Sequence, residues 1–465
     1  MKRHPRPLVW AALVSAVIFF AVGSSAAQPI KSGVSILPSQ TTSDVPPTTP
    51  AFVDKPHLLG DWGGVRTYLG NLGIYIGLDY TTETAWNVSG GIRRGVDYAD
   101  QKGVEVDIDW EKLAGITGFS THTVLINRAG RNTSADYIGD NVIQAQEIYG
   151  AAFDMAVRLV HFYGEQKLWD GRVDLAAGRL AVGDDFAGSV FYCDFMTLTS
   201  CGHSRALTSN AGFSNWPTAS WGGRVRVKPT ADIYVQLGLY EATPFPQGGR
   251  AGWDWSTTHA TGEVFPLEVA YEPMIGAARM PGHYKAGVIY DNSTYPDIYQ
   301  DYRGQPLVQS GLTARNRHGR SSFYVTADQM VVRQGPGDDN GVILLAAYVH
   351  NSPDTSMFEH FAWIALLDTG FWAARPLDRI GLSGTYYKLS PRLTATEGLQ
   401  QDLGLPFTGG AYGVQSDALV LEANYNFPIY CGVELQPEIE YFIRPGGQSN
   451  IRNAFELGLK THVQF

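Results

Sequence analysis

A side-chain period of two constrains this chain more than any other feature of its sequence. In the segment 104–111, apolar residues and Trp110 at even positions alternate with carboxylates at odd positions. Apolar residues alternate with other residues in the same way at 224–228 and 233–240. This pattern predicts strands with one apolar and one polar face. A soluble sandwich would bury the apolar face against a second sheet, whereas a membrane barrel turns it toward lipid.

Repetition of this pattern predicts sixteen strands between Ile74 and Phe465, which form an all-β, antiparallel transmembrane β-barrel. The connections alternate in length. Long ones include 89–102, 182–221 and 292–321, whereas 170–171 and 230–231 are tight turns. Bacterial barrels have long extracellular loops and short periplasmic turns. We therefore expect the long loops to lie outside the cell.

The N-terminus has the layout of a secretory signal. Basic residues at positions 2, 3 and 6 precede an apolar stretch, 8–22, and Ser25-Ala26-Ala27 follows as a cleavage site. The alternative is a retained anchor, but the stretch is shorter than the roughly 20 residues of a membrane span. We predict a signal peptide at 1–27 and a Ser/Thr/Pro-rich periplasmic leader at 28–56. A short periplasmic helical segment at 57–72, capped by Asp61, then precedes the barrel at 73–465.

The composition argues against several functional classes. The formal net charge of −10 disfavours nucleic-acid binding. The sequence contains no nucleophile-elbow, zinc-protease, phosphate-loop or dinucleotide motif, so we predict that the protein is not an enzyme. No metal or other cofactor is expected. Cys193 and Cys201 lie eight positions apart within the longest loop, which suits a disulfide in an oxidising compartment and leaves Cys431 outside the pair.

Four segments resemble those of one known family, the OprB-type carbohydrate-selective porins. The first is the run LLGDWGGVR at 58–66, and the second is NVSGGIRRG at 87–95. The segment EQKLWDG at 165–171 and the terminal Phe465 are similar too, although many other barrels share such features. The resemblance extends in order from about Leu58 to Phe465, and the leader lies outside it.

The resemblance implies a sixteen-stranded barrel in the bacterial outer membrane. Its extracellular loops are expected to fold inward and narrow the pore. It implies passive, selective diffusion of small carbohydrates, including monosaccharides such as glucose, into the periplasm. The alternatives are a general or other-solute outer-membrane pore and a secreted, soluble, β-rich carbohydrate-binding protein. The expected partners are small sugars, outer-membrane lipid and lipopolysaccharide, and the barrel assembly machinery through Phe465. The working unit is a monomer or a homotrimer.

A sugar pore needs hydrogen-bonding groups for hydroxyls and an aromatic surface for the C–H faces of the ring. We expect Arg93 or Arg94, at the lip of the first loop, to contact the sugar at the constriction. Arg128 and Glu147 flank the second loop, and Trp221 closes the longest one. Each of these residues has a plainer explanation, because a loop arginine is often solvated and a tryptophan often belongs to the aromatic belt at a membrane interface.

Overall fold

The computed structural model describes residues 56–148, 156–199, 201, 203–210, 212–243, 251–253 and 256–465. The predicted signal peptide, 1–27, lies outside the described residues, as does the leader, 28–56, apart from Pro56.

A single antiparallel sheet closes on itself to form a barrel. Sixteen strands form the wall, because the two-residue β9 pairs only with the start of β10. Pairing of β1 with β17, from Asp79 opposite Gln464 to Gly91 opposite Arg452, closes the ring. The strands are β1 (Ile74–Gly91), β2 (Gly95–Asp109), β3 (Phe119–Gly130), β4 (Arg158–Leu168), β5 (Val173–Leu180), β6 (Ser220–Val227), β7 (Ile233–Ala242), β8 (Gly262–Tyr271), β9 (Met274–Ile275), β10 (Met280–Asp301), β11 (Ala314–Arg333), β12 (Gly341–Asn351), β13 (Phe358–Thr369), β14 (Arg379–Leu389), β15 (Asp417–Tyr430), β16 (Val433–Ile443) and β17 (Arg452–Gln464).

The predicted alternation is visible in the wall. On β7, Ile233, Val235 and Leu237 are exposed on the outer surface, while Tyr234 and Gln236 between them are buried on the inner one. An outward apolar band is what a lipid environment requires of a barrel. Among the described residues, no helix is both long enough and apolar enough to cross a membrane.

Short helices occupy the ends of the barrel or, for α3 and α4, the long loop that enters it. They are α1 (Val65–Asn71), α2 (Trp110–Ala114), α3 (Val182–Asp185), α4 (Arg205–Thr208), α5 (Leu307–Ser310) and α6 (Pro391–Asp402). Helix α1 and the tight turns lie at one end, called the helix end here, and the long connections lie at the opposite loop end. The carboxylate of Asp109 accepts from the backbone N–H groups of Glu111 and Lys112, so the last two residues of the alternating segment 104–111 begin α2 instead of continuing the strand.

Two predicted loops are wrong in length. Strands β1 and β2 extend so far that the first connection, predicted at 89–102, is only Ile92–Arg94. Similarly, the predicted loop 292–321 is mostly a β10–β11 hairpin that continues beyond its neighbours. Arg317 on this hairpin forms an ion pair with the fully buried Asp297, at 2.7 Å. Polar pairs of this kind replace the apolar alternation in the extension, which explains why period-two reasoning missed it.

The motif at 58–66 joins the helix end to the barrel seam. One Arg66 Nη atom donates to the carbonyl of Ile76 on β1 at 3.0 Å, and the other donates to the main-chain oxygen of Phe465 at 2.5 Å. The Asp61 carboxylate accepts from the N–H and the hydroxyl of Thr67, at 2.8 and 2.9 Å. The motif therefore holds the two strands that close the barrel.

Candidate functional site

The long connection between β5 and β6, residues 181–219 and here named the constriction loop, folds into the barrel. Its backbone bonds to the wall in two places, one near β6 and one on the far side of the barrel. The N–H of Ala187 donates to Glu268 on β8, and that of Met196 donates to Glu422 on β15, both at 2.8 Å. Since β5 and β6 lie across the ring from β15, the loop spans the interior and narrows it.

Apolar packing holds this loop against the wall. Trp363 on β13 makes edge-to-face contacts with Tyr192 and Phe195 of the loop, with ring centroids 5.4 and 5.6 Å apart. Ile343 and Leu345, on the inner face of the adjacent β12, are buried in the same cluster. These strands are therefore apolar on both faces, one toward lipid and one toward the loop.

Cys193 and Cys201 form a disulfide within the constriction loop. The carbonyl oxygen of Cys193 accepts a hydrogen bond from Lys460 Nζ on β17, at 3.0 Å. Both cysteines also line the interior cavity described below. The disulfide thus fixes the part of the loop that borders the open space.

Arg128 on β3 and Glu147 in the second loop-end connection meet at the rim of that space. The guanidinium donates to both carboxylate oxygens of Glu147 at 2.8 Å, and the exposed fractions of the two residues are 3% and 8%. Both of these bonds come from Nη2, and Nη1 donates to the main-chain oxygen of Glu147 at 3.3 Å, so two nitrogens of the guanidinium hold Glu147. We name these two residues the constriction pair.

Gln101 and Trp216 complete this group. The Oε1 atom of Gln101 accepts from Arg128 Nε at 2.8 Å and from Trp216 Nε1 at 2.9 Å. The four side chains come from two neighbouring strands and two loops, so only the tertiary fold brings them together. They combine a planar cation, a carboxylate, an amide and a half-buried indole ring.

The cavity that these residues border has a volume of about 680 Å³ and continues to the helix end. This volume is within the usual range for small-molecule sites. Acidic lining residues outnumber basic ones, seven to three, histidines aside. The acidic residues are Asp79, Glu83, Glu147, Asp184, Asp194, Asp339 and Glu434, and the basic ones are Arg128, Arg379 and Lys460.

Asp140 anchors the second loop over the opening. Its carboxylate accepts from the backbone N–H groups of Val142, Ile143 and Gly446, at 2.7–2.8 Å. Burial raises the pKa of Asp140 to about 6, although these hydrogen bonds act in the opposite direction. The anchor positions the segment that carries Glu147.

The structure places the motif at 87–95 outside the cavity. Asn87 is fully buried, and its amide donates to the carbonyl oxygens of Arg93 and Tyr137, at 2.8 and 3.2 Å. Arg93 lies over the Tyr137 ring, 4.8 Å from the centroid, and both Arg93 and Arg94 are exposed at the loop end. The motif therefore builds a tight turn and holds the second loop, and neither arginine lines the cavity.

Trp221 also lies elsewhere than expected. It shares a face of β6 with the exposed residues Val225 and Val227, opposite the face that carries the buried Arg224. A strand's alternate residues point to opposite faces, so Trp221 belongs to the outer surface. The aromatic side chain at the cavity is Trp216 instead. Sequence reasoning could have placed Trp221 on the outer face, because it has the same parity as Val225 and Val227. Parity gives no such signal for Trp216, which lies in the constriction loop.

Comparisons with known proteins agree with this architecture. The model of the carbohydrate-selective porin, OprB family, matches residues 93–465. Porin B of Pseudomonas aeruginosa is 29% identical over 422 residues, covering 88% of this chain and 91% of that protein. The putative porin QuiX of Acinetobacter baylyi is 25% identical over 427 residues, covering 89% and 94% of the two chains.

A solved structure is similar over the same range. The high-pH structure of Pseudomonas putida OprB superposes with a TM-score of 0.82 at 28% identity, covering 88% of this chain and 99% of that one. These relatives are porins, which are channels rather than enzymes. The chain belongs to the OprB family of carbohydrate-selective porins, and it is an outer-membrane β-barrel.

Proposed function

We propose that this porin admits small neutral monosaccharides such as glucose, and that the constriction pair selects them. The observation that carries the proposal is the meeting of Arg128, Glu147, Gln101 and Trp216 at one rim of the cavity. This group replaces Arg93 and Arg94, which are exposed at the loop end, as the principal candidates for contacting the sugar.

The chemistry of the group suits a sugar in transit. A guanidinium, a carboxylate and an amide supply donors and acceptors for hydroxyl groups, and an indole ring supplies a surface for C–H faces. Arg128 and Gln101 already bond each other, so a passing sugar competes with existing hydrogen bonds. Binding is consequently weak, which a conducting pore requires because the solute must also leave.

The acidic excess of the cavity favours neutral over anionic solutes. Seven carboxylates and three basic side chains line it, so a negatively charged sugar derivative meets net repulsion in a confined space. This feature distinguishes the proposal from a general pore, which would pass solutes of equal size alike.

The wider partners belong to the same proposal. Phe465 ends the last strand, where the barrel assembly machinery would recognise it, and outer-membrane lipid and lipopolysaccharide would surround the apolar band. Either a monomer or a homotrimer is compatible with a pore enclosed by one chain.

Liposome swelling provides the test. We expect wild-type protein to admit glucose faster than gluconate, which has similar size and a negative charge. The Glu147→Gln variant leaves Arg128 without its counter-charge, so gluconate entry should rise relative to glucose. The Arg128→Gln variant should weaken glucose block of single-channel current by roughly tenfold or more, since a hydrogen bond to a charged group is worth about 1.5–3 kcal/mol.

The matched control is Arg315→Gln, because Arg315 is an exposed arginine at the loop end. It should change neither the entry rate of gluconate relative to glucose nor the glucose block of single-channel current. Equal glucose and gluconate rates in the wild type would show a general pore, and unaltered selectivity in both constriction variants would move the site elsewhere.

A further inference from the structure

A row of glutamates crosses three strands on the inner wall. Glu422 on β15 lies directly opposite Glu440 on β16, which in turn lies directly opposite Glu456 on β17. Their exposed fractions are 3%, 1% and 0%. Like charges directly opposite each other destabilise a sheet, and burial away from water increases the cost. Either bound protons or a bound cation must therefore neutralise this arrangement.

The hydrogen bonds of the described residues do not provide that compensation. Both carboxylate oxygens of Glu440 are buried with no hydrogen-bond partner, and so is Oε2 of Glu456. The strongest charges acting on Glu440 are those of four other carboxylates, namely Glu456, Glu438, Glu422 and Glu83. Lys460 Nζ donates to the carbonyl oxygens of Cys193 and Phe195, at 3.0 and 3.4 Å, and forms no hydrogen bond with these carboxylates. Its positive charge offsets part of the repulsion at Glu422 and Glu438.

The spacing of three of these carboxylates matches a calcium site. Glu422, Glu438 and Glu440 each offer an oxygen atom, and these atoms lie within 4.8 Å of one another. Calcium binds carboxylate oxygens at about 2.3–2.6 Å, so oxygens around one ion lie at most about 5 Å apart. Glu456 lies directly across from Glu440, and its Oε1 atom accepts from the backbone N–H of Trp86 at 2.9 Å. Its Oε2 atom is buried without a hydrogen-bond partner, which is an independent sign that the row faces a cation.

We propose that Glu422, Glu438 and Glu440 bind a calcium ion behind the constriction loop. Glu422 also accepts from the backbone N–H groups of Met196 and Thr197 in that loop, at 2.8 and 3.3 Å. The ion therefore neutralises the glutamates at the place where Glu422 holds the loop. Its role is to fix the loop, and it is separate from the sugar contacts at the constriction pair.

Calcium titration of the full porin tests this proposal. Protein purified in detergent is treated with EDTA, dialysed and titrated with calcium chloride by calorimetry. We expect about one ion per chain and a calcium-dependent rise in the unfolding temperature. The Glu440→Gln variant should bind calcium at least tenfold more weakly. Without calcium it should unfold at a higher temperature than wild type, because one repelling charge is gone.

The control is Glu434→Gln, which replaces an exposed glutamate on the same strand and the same face. Six residues separate it from Glu440, or roughly 20 Å along a strand, and its calcium binding should equal that of wild type. If Glu440→Gln does not give the folded band on unheated gels, Glu438→Gln replaces it. No calcium binding by the wild type, or equal binding by the variant, would overturn the proposal.

Discussion

Asp79 on β1 lies directly opposite Gly103 on β2, and a β-carbon at position 103 would stand 1.9 Å from the Asp79 Oδ1 atom. A separation below 3.0 Å forces an atom to move. Asp79 is one of the residues that line the cavity. The missing side chain of Gly103 thus makes room for a carboxylate at the pore.

The first prediction concerns this contact. Gly103→Ala should displace the Asp79 side chain and alter glucose entry. It should lower stability by less than core overpacking does, about 1–3 kcal/mol, because the atom that must move is the end of a side chain. Thermal unfolding in detergent and liposome swelling measure the two effects. The control is Gly398→Ala in α6, where a β-carbon meets nothing within 4 Å. Alanine should stabilise that helix slightly, and equal behaviour of the two variants would contradict the steric argument.

The second prediction concerns the disulfide. Replacing both Cys193 and Cys201 by serine frees the part of the constriction loop that borders the cavity. We expect larger fluctuations of the single-channel current, with the barrel still folded, because the wall hydrogen bonds are unaffected. Current recordings and unheated gels measure these properties. Current fluctuations no larger than those of wild type would mean that packing around Trp363 holds the loop without the disulfide.

The third prediction concerns pH and the loop that contains α6. Glu397 on this helix is fully buried, and burial raises its pKa from the ordinary 4.5 to about 7, although the N–H of Gln415 opposes the shift. The folded loop therefore holds a proton that the unfolded loop releases. The stability that this group contributes is complete below about pH 4.5 and is lost as the pH rises through about 7.

Hydrogen exchange of segment 391–416 measures this dependence. After correction for intrinsic rates, wild-type protection should be greater at pH 5 than at pH 8, whereas Glu397→Gln should give equal protection at both. Asp402→Asn, an exposed change on the same helix, is the control and should behave like wild type. A pH dependence that survives in Glu397→Gln would assign the effect to another group.

The fourth prediction concerns the seam. Arg66→Met removes the two hydrogen bonds to the oxygens of Ile76 and Phe465. Bonds from a charged donor are worth about 1.5–3 kcal/mol each, so the folded band on gels should convert to the unfolded form at a lower temperature. Arg452→Met, at an exposed position on β17, is the control. Unchanged conversion would mean that strand pairing alone closes the barrel.

Local patterns predicted much of this protein. Alternation in segments such as 233–240 predicted which face of each strand meets lipid, because side chains of a strand point alternately to its two faces. The motifs at 58–66 and 87–95 predicted the family, and spacing predicted the cysteine pair. The same patterns were less informative where both faces are apolar, as on β12, since loop packing there replaces the polar lumen.

The sequence by itself determined the barrel, its family and the residue types at the pore, because each depends on neighbours along one strand or on a contiguous motif. Only the tertiary structure decided which residues meet. Arg128 and Glu147 are joined by the path of a loop, and Glu422, Glu440 and Glu456 by the register of three strands. Register and loop paths depend on contacts between distant segments, and no local period records them.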